Sequence, residues 1–172
     1  MNQQTSISLQ TEVLLNILLA DDDVDDRSFF SRVLKNIPIL THLETVENGE
    51  ELMTYLFANS QKLPDVLFLD LNMPKKNGSE CLSEIKQDET LKGIPVIIYS
   101  THMHEKDADI LYGKGAHYYI RKTDMIELAR ILDIILNLMV ENKFVRPEKD
   151  KFIFFDQSFR DAKQLKDKGY RN

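Results

Sequence analysis

Five short runs rich in Leu, Ile, Val, Phe or Tyr recur along the chain, and segments with apolar residues at helical spacing separate them. The runs span residues 17–20, 43–46, 66–69, 96–99 and 118–120. Three of them are apolar throughout rather than alternating, which is typical of parallel strands covered by helices on both faces. We therefore predict an α/β fold of the (βα)5 type, a doubly wound parallel sheet with these three runs as its inner strands.

Residues that favour turns and caps mark the ends of the predicted helices. The dipeptides Asn48-Gly49 and Asn77-Gly78 are typical of turns, and Thr123 or Asp124 is suited to cap the last helix. Apolar residues at helical spacing predict that last helix, and they are Ile126, Leu128, Ile131, Leu132, Ile135 and Leu138.

Composition excludes several classes of protein. With 172 residues and 42% apolar content, the chain can fill the core of one domain. The net charge of -6 argues against a general nucleic-acid binder, because sequence-independent affinity for phosphates needs an excess of Lys and Arg. No apolar run approaches the roughly 20 residues that span a bilayer, and residues 1–13 lack the positive start of a signal peptide. We expect a cytoplasmic protein without membrane contact, in which residues 1–13 are a flexible segment.

Polar residues follow the predicted strands where each strand ends. Ligands of doubly wound sheets bind outside the carboxyl ends of the strands, so these residues are candidates for a site. They are Asp21, Asp22 and Asp23 after the first run, Asp70 after the third, Ser100 and Thr101 after the fourth, and Arg121 and Lys122 after the fifth. Clustered carboxylates need a cation or a proton to neutralise them, and oxygen ligands without His or Cys favour Mg²⁺ over zinc.

Four motifs then carry a family resemblance. The stretches ILLADDD, VLFLDLNMPKKNG, PVIIYST and GAHYYIRK occur in an order and spacing that resemble the receiver domain of two-component response regulators. The resemblance covers about residues 14–140 and implies the CheY-like, flavodoxin-like fold with strand order 2-1-3-4-5. The stretch from LDLNMPKKNG to IKQDETLKGIPVIIYST is further similar to single-domain regulators paired with bacterial phytochromes.

The resemblance implies a phosphoacceptor and a metal site. Asp70 matches the aspartate that takes a phosphoryl group from a phosphohistidine on a sensor histidine kinase, of phytochrome type in the narrower match, or on a phosphotransfer protein. With Asp70, the acidic pair would hold Mg²⁺, Asp22 directly and Asp21 more often through water. The backbone carbonyl of Asn72 would be a further ligand. The family is not a class of enzymes, because such a protein only assists its own phosphorylation and dephosphorylation.

The resemblance also assigns a switch. Ser100 matches the hydroxyl that contacts the phosphoryl oxygens, and Lys122 matches the lysine that pairs with them. Tyr119 matches the aromatic residue whose ring turns inward when that hydroxyl moves. The fourth helix, fifth strand and fifth helix would form the output face, and signalling would proceed through protein contacts.

Two other functions remain open. The chain could be a binding module of the same fold that works without phosphorylation. More remotely, Asp70 could be the nucleophile of a haloacid-dehalogenase-type phosphatase, but such enzymes normally carry a second aspartate where this chain has Asn72.

Other charged residues have simpler interpretations. We expect Asp23, Asp25 and Asp26 to be solvated acids that start a helix. His102 and His104 are not expected to form a metal site, since no third ligand lies nearby in the sequence. His102 lies two residues past Ser100, at a position that in the family influences how long the phosphoryl group lasts.

The chain departs from the family pattern in two places. Thr123 follows Lys122 where the family usually has proline, so we expect a trans peptide bond there. Residues 141–172 carry net positive charge but are too short for a usual DNA-binding output domain. The apolar residues 152–155 must be covered by the receiver domain, by a second copy or by a partner, and we expect the extension to dock on the receiver domain or to cross to the other copy of a homodimer. A short helix is predicted beyond them, with a capping box from Ser158 to Asp161 and Gly169 at its end.

Overall fold

Parallel strands form a five-stranded sheet in the order β2-β1-β3-β4-β5 in the computed structural model, which describes residues 13–101 and 105–154. The strands are β1 (Leu15–Ala20), β2 (Thr41–Val46), β3 (Val66–Leu69), β4 (Val96–Ser100) and β5 (Tyr118–Arg121). Each neighbouring pair is parallel, with Ile17 opposite Val66 between β1 and β3 and Leu67 opposite Val96 between β3 and β4. The predicted α/β fold and strand order are confirmed.

Helices cover both faces of the sheet. They are α1 (Val24–Leu34), α2 (Gly49–Ala58), α3 (Gly78–Gln87), α4 (Glu105–Gly113) and α5 (Met125–Val140), and a 3-10 turn follows at Lys149–Lys151. The core on one face packs α1 and α5 against the sheet, and the core on the other packs α2, α3 and α4. Within the described residues, no helix is long and apolar enough to span a bilayer.

The burial of the strands follows from their places in the sheet. Every residue of β3 and β4 is buried, as are all but one of β1, whereas β2 at the edge leaves most of its residues partly or fully exposed. A strand covered by helices on both faces needs apolar side chains on both, so continuous apolar runs mark inner strands. The predicted inner strands are therefore confirmed.

The two Asn-Gly dipeptides start helices rather than form turns. Asn48 caps α2 by accepting a hydrogen bond from the Glu51 backbone N–H. Asn77 caps α3 and forms a capping box with Glu80. The turn prediction was wrong because Asn satisfies free N–H groups at a helix start as well as it satisfies a turn.

The last helix begins at one of its two predicted caps. One residue of its predicted apolar face is exposed instead of buried. Asp124 is the cap of α5 and accepts hydrogen bonds from the next turn of backbone. Ile126 is 74% exposed, whereas Leu128, Ile131 and Leu132 are buried. Ile126 lies two residues before Leu128, which places it about 200° away around the helix from the buried face.

Two glycines allow backbone segments to approach each other next to β3. A Cβ atom on Gly78 would lie 2.1 Å from the carbonyl oxygen of Asp70, and one on Gly49 would lie 2.1 Å from the carbonyl oxygen of Lys76. The loop after β3 is thus held directly against the starts of α2 and α3. Lys75 within it adopts a positive φ of 67°, as tight loops require.

The C-terminal extension packs on the edge of the sheet beside β5. We call residues 143–154 the strap. Ile153 pairs in parallel with Tyr119, and the side chains of Phe152 and Phe154 are 2% and 5% exposed. The described part of the extension therefore docks on its own chain and covers Phe152 and Phe154, as one of the alternatives predicted. Phe155, the capping box at Ser158 to Asp161, Gly169 and residues 1–12 lie outside the described residues.

Prediction for Gly78. Replacing Gly78 by Ala should lower the free energy of unfolding by about 1–3 kcal/mol, the usual cost of overpacking, because the added methyl group overlaps the Asp70 carbonyl. Urea denaturation of the purified variant measures the change. Gly113→Ala is the matched control, since nothing lies within 4 Å of its Cβ position. Equal stability of Gly78→Ala and wild type would show that the loop yields without cost.

Candidate phosphoacceptor and metal site

Three carboxylates meet at the carboxyl ends of β1 and β3. Asp21 and Asp22 follow β1, and Asp70 follows β3, its neighbour in the sheet. Each offers an oxygen atom, and these atoms all lie within 4.8 Å of one another. Asp21 and Asp70 are buried, whereas Asp22 is exposed, so the group opens to solvent on one side. The parallel topology thus brings together the acids that the sequence predicted.

The ammonium group of Lys122 lies among these acids. Its Nζ atom is 2.8 Å from Asp21 Oδ2, 2.7 Å from Asp26 Oδ2 and 3.6 Å from Asp70 Oδ2. The Lys122 side chain is only 10% exposed and lies over the ring of Tyr99, 5.6 Å from its centre. Its backbone N–H donates to the Ser100 carbonyl, which fixes where the side chain starts. Lys122 is therefore the counter-charge of the site.

Lys122 reaches the acids through an ordinary backbone. The peptide bonds in the described residues are all trans, including the bond from Lys122 to Thr123. The expectation of a trans bond is confirmed, so the missing proline does not keep Lys122 from the site.

Burial and charge act in opposite directions on these groups. Burial raises the pKa of Asp21 above its ordinary value, although the hydrogen bond and charge of Lys122 partly offset the effect. Burial alone would lower the pKa of Lys122, but hydrogen bonds to Asp21 and Asp26 and the charge of Asp70 raise it overall. Lys122 is thus cationic at neutral pH. In Asp21, by contrast, burial disfavours the charged form of the carboxyl group.

Sequence reasoning missed Asp26. It was expected to be a solvated acid, yet it makes a 2.7 Å ion pair with Lys122. Asp26 lies in the first turn of α1, and the sequence alone does not show which way that turn faces. Asp23 is the cap of α1 and accepts from the backbone N–H groups of Asp25 and Asp26, as a helix-starting acid should.

Arg27 is a second residue that the sequence did not point to. It donates through Nη1 to the carbonyl oxygen of Asp21 at 2.7 Å and through Nη2 to Glu47 at 2.8 Å. Its side chain is 12% exposed. Arg27 therefore ties the loop after β1 to the end of β2 and keeps Asp21 in place.

Ser100 and Tyr119 lie on the neighbouring strands β4 and β5. Both are fully buried, and the Tyr119 ring belongs to the core formed by α2, α3 and α4. Burial raises the pKa of Tyr119 above its ordinary value. The Tyr119 ring is therefore buried within the core. The proposed switch roles stay predictions.

The donor set suits a hard divalent cation. The group consists of carboxylates, and Mg²⁺ and its relatives prefer oxygen ligands. Asp70 keeps one oxygen, Oδ1, in a 2.8 Å hydrogen bond from the Leu71 backbone N–H, which orients the carboxylate. Asn72 is exposed in the same loop, and ligation by its carbonyl stays a prediction. His102 and His104 lie outside the described residues.

Comparison with known proteins decides the family. Residues 17–135 match the response regulator receiver domain. The chain belongs to this family. The receiver domain is 37% identical over 112 residues to the response regulator Rcp1 of Synechocystis sp., covering 62% of this chain and 76% of that protein. It is 29% identical over 117 residues to the probable methanogenesis regulatory protein FilR2 of Methanothrix harundinacea, covering 66% and 76%.

Solved structures agree with the fold and the family. The phosphorylated cyanobacterial phytochrome response regulator RcpA superposes with a TM-score of 0.68 at 35% identity, covering 76% of this chain and 96% of that one. The Mn²⁺-bound form of Rcp1 superposes with a TM-score of 0.67 at 31% identity, covering 77% and 99%. The CheY-like receiver domain and the similarity to phytochrome response regulators, both predicted from the sequence, are confirmed.

Prediction for Asp21. Its raised pKa means that the folded state binds the proton more tightly than the unfolded state, so stability falls as pH rises through the folded pKa. The substitution Asp21→Asn removes the ionisable group and therefore this loss of stability. Without divalent metal at pH 7, the variant should melt at a higher temperature than wild type, and the difference should shrink as pH falls toward 3.8, the ordinary value. Thermal melts followed by circular dichroism measure both.

The control for Asp21 is Asp25→Asn, which makes the same charge change at an exposed residue of α1 and should shift the melt little. A lower melting temperature for Asp21→Asn at every pH would mean that the ion pair with Lys122 outweighs the cost of burying the acid.

Proposed function

We propose that this receiver domain accepts a phosphoryl group on Asp70 from a phosphohistidine of a sensor histidine kinase or phosphotransfer protein. One observation carries the proposal: the carboxylates of Asp21, Asp22 and Asp70 lie within 4.8 Å, with the Lys122 ammonium 3.6 Å from Asp70. Such a group of acids with a buried cation is suited to an incoming anion that must be neutralised where it arrives. The similarity to RcpA, which is phosphorylated in its solved structure, supports the same assignment.

The reaction needs little beyond positioning and charge. A carboxylate oxygen of Asp70 forms the new O–P bond, the N–P bond of the phosphohistidine breaks, and its electron pair returns to the imidazole of the donor. Lys122 offsets negative charge on the phosphoryl oxygens, and the Ser100 hydroxyl donates to one of them. Water later cleaves the acyl phosphate and restores the carboxylate. The protein assists these steps on itself and is not an enzyme for an external substrate.

We assign Mg²⁺ as the metal. Asp21, Asp22 and Asp70, with the carbonyl of Asn72, would hold it. When bound, the ion offsets the charge that the phosphoryl group adds to a site that is already acidic. Burial and hydrogen bonds from backbone N–H groups fix the carboxylates of Asp21 and Asp70 in position.

The surroundings of the site suit a protein donor. Val24, Met125 and Ile126 are 62%, 45% and 74% exposed at the starts of α1 and α5, the helices that follow the strand ends carrying Asp21 and Lys122. Exposed apolar residues beside a charged centre favour a docked protein over a free small molecule. By similarity to Rcp1 and RcpA, we propose a phytochrome-type kinase as the donor, in the cytoplasm where ATP supplies the kinase. Output would pass through protein contacts as a single-domain regulator. A homodimer through the C-terminal extension stays a proposal, which the mass of the protein in solution tests.

Prediction for phosphorylation. Incubation with Mg²⁺ and a labelled small phosphodonor such as acetyl phosphate should label wild type with one phosphoryl group that hydroxylamine removes. Asp70→Asn should carry no label. Asp22→Asn should lose most of it, because a metal ligand is gone.

Asp23→Asn is the matched control, since asparagine preserves the cap of α1 two residues after Asp21, and it should be labelled like wild type. Absence of label on wild type would favour a binding module that works without phosphorylation. Turnover of external phosphomonoesters would favour the phosphatase.

A further inference from the structure

Asp26 contacts the site through Lys122 and not through the candidate metal position. The Lys122 ammonium donates a hydrogen bond to Asp26 Oδ2 at 2.7 Å. Among the described residues, the carboxylates whose oxygen atoms converge as a possible metal site are those of Asp21, Asp22 and Asp70. Asp26 lies outside this group, so its carboxylate serves the lysine alone.

The backbone around Asp26 is fixed on two sides. Its N–H donates to Asp23 Oδ1 at 3.3 Å, which holds the first turn of α1. The next residue, Arg27, donates to the carbonyl oxygen of Asp21 at 2.7 Å and ties this turn to the loop after β1. The Asp26 side chain is only 37% exposed. Lys122 therefore meets an acceptor that the fold holds at a defined place.

A lysine side chain needs such partners, because its four-carbon stem is flexible. Lys122 Nζ lies 2.8 Å from Asp21 Oδ2 and 3.6 Å from Asp70 Oδ2. The second distance is too long for a hydrogen bond. An ammonium group has three N–H donors, so with Asp21 and Asp26 as close partners one donor is left. The arrangement holds the cation beside Asp70 while a donor stays available for an oxygen atom that Asp70 acquires.

We propose that Asp26 is a positioning residue for phosphorylation, which keeps the Lys122 ammonium beside Asp70 without a direct ion pair between them. The inference rests on the proposed phosphorylation of Asp70. Without Asp26, the nearest remaining carboxylates are those of Asp21 and Asp70, so the ammonium would shift toward Asp70. A direct ion pair would cover Asp70 Oδ2 and use the donor that a phosphoryl oxygen needs.

A purely electrostatic role for Asp26 predicts the opposite result. If Asp26 acted only as a negative charge, its loss would weaken the repulsion of the incoming phosphoryl group, and phosphorylation would become faster. Positioning predicts slower phosphorylation, because the cation no longer lies where the reaction needs it. The sign of the change in rate therefore separates the two roles.

The first experiment measures the initial rate of labelling by acetyl phosphate with Mg²⁺. Asp26→Ala should lower the rate by about 10- to 100-fold, the usual cost of a misplaced group near the reacting atoms. Asp26→Glu keeps the carboxylate and should recover part of the rate. Asp25→Ala is the matched control, since it makes the same change at the exposed neighbouring residue and should leave the rate unchanged.

The second experiment observes Lys122 itself by NMR, without metal or phosphodonor. Its side chain is 10% exposed and held by carboxylates, so the ammonium should exchange protons slowly with water and give a ¹H–¹⁵N signal. Lys122→Arg identifies that signal by its loss. Asp26→Ala should shift or broaden the signal, whereas Asp25→Ala should leave it in place. An unchanged signal in Asp26→Ala would overturn the proposal.

The outcomes separate this inference from the proposed function. No label on wild type removes both the proposed phosphorylation and the positioning role. Label on wild type, with equal or faster labelling of Asp26→Ala, removes the positioning role alone. If Asp26→Ala does not fold, Asp26→Asn takes its place with Asp25→Asn as control, because a neutral amide holds the ammonium more weakly. Equal labelling rates in these two variants would likewise overturn the proposal.

Discussion

The contact of the Lys122 ammonium with the carboxylates around it is the interaction on which the site depends. Two buried acids, Asp21 and Asp70, lie close together, and their mutual repulsion would be costly without a positive charge beside them. Lys122 supplies that charge at 2.8 Å from Asp21, but it also pairs with Asp26, and Asp22 adds a further negative charge. Among the described residues, Lys122 therefore lies beside three carboxylates, with that of Asp22 close to two of them. The negative charge that remains suits a divalent cation.

The sequence was sufficient to locate the three acids of the candidate metal site. It was not sufficient to identify Asp26 and Arg27, which make the surrounding contacts. Asp21, Asp22 and Asp70 were predictable because parallel strands place their carboxyl ends at one edge, so a position just after a strand is a position in the site. Asp26 was not, because its place depends on the rotation of α1, which Asp23 sets by capping the first turn. Arg27 left no signal at all. Its partners, the Asp21 carbonyl and Glu47, come together only through the packing of β1 beside β2.

The same distinction applies to the loops and the C-terminal extension. The sequence identified the Asn-Gly dipeptides as the boundaries of helices. It did not show that Gly78 approaches the Asp70 carbonyl, because local sequence does not specify which residue lies against a glycine. The apolar residues 152–155 indicated that this segment is buried, since exposed phenylalanines are unfavourable. They did not indicate which surface buries it. In the structure, Phe152 and Phe154 enter the cores on opposite faces of the sheet, so the strap wraps around the edge at β5.

A sheet edge left open invites pairing with other chains, and covering it with the chain's own residues removes that risk. A full sixth strand would do this most firmly. The strap instead makes a single-residue bridge, Ile153 with Tyr119, supported by side-chain contacts along α4. An element with few backbone hydrogen bonds opens locally at lower free energy than the sheet itself. Both backbone hydrogen bonds at its end are made to Tyr119, so a single residue of β5 holds the strap at this edge.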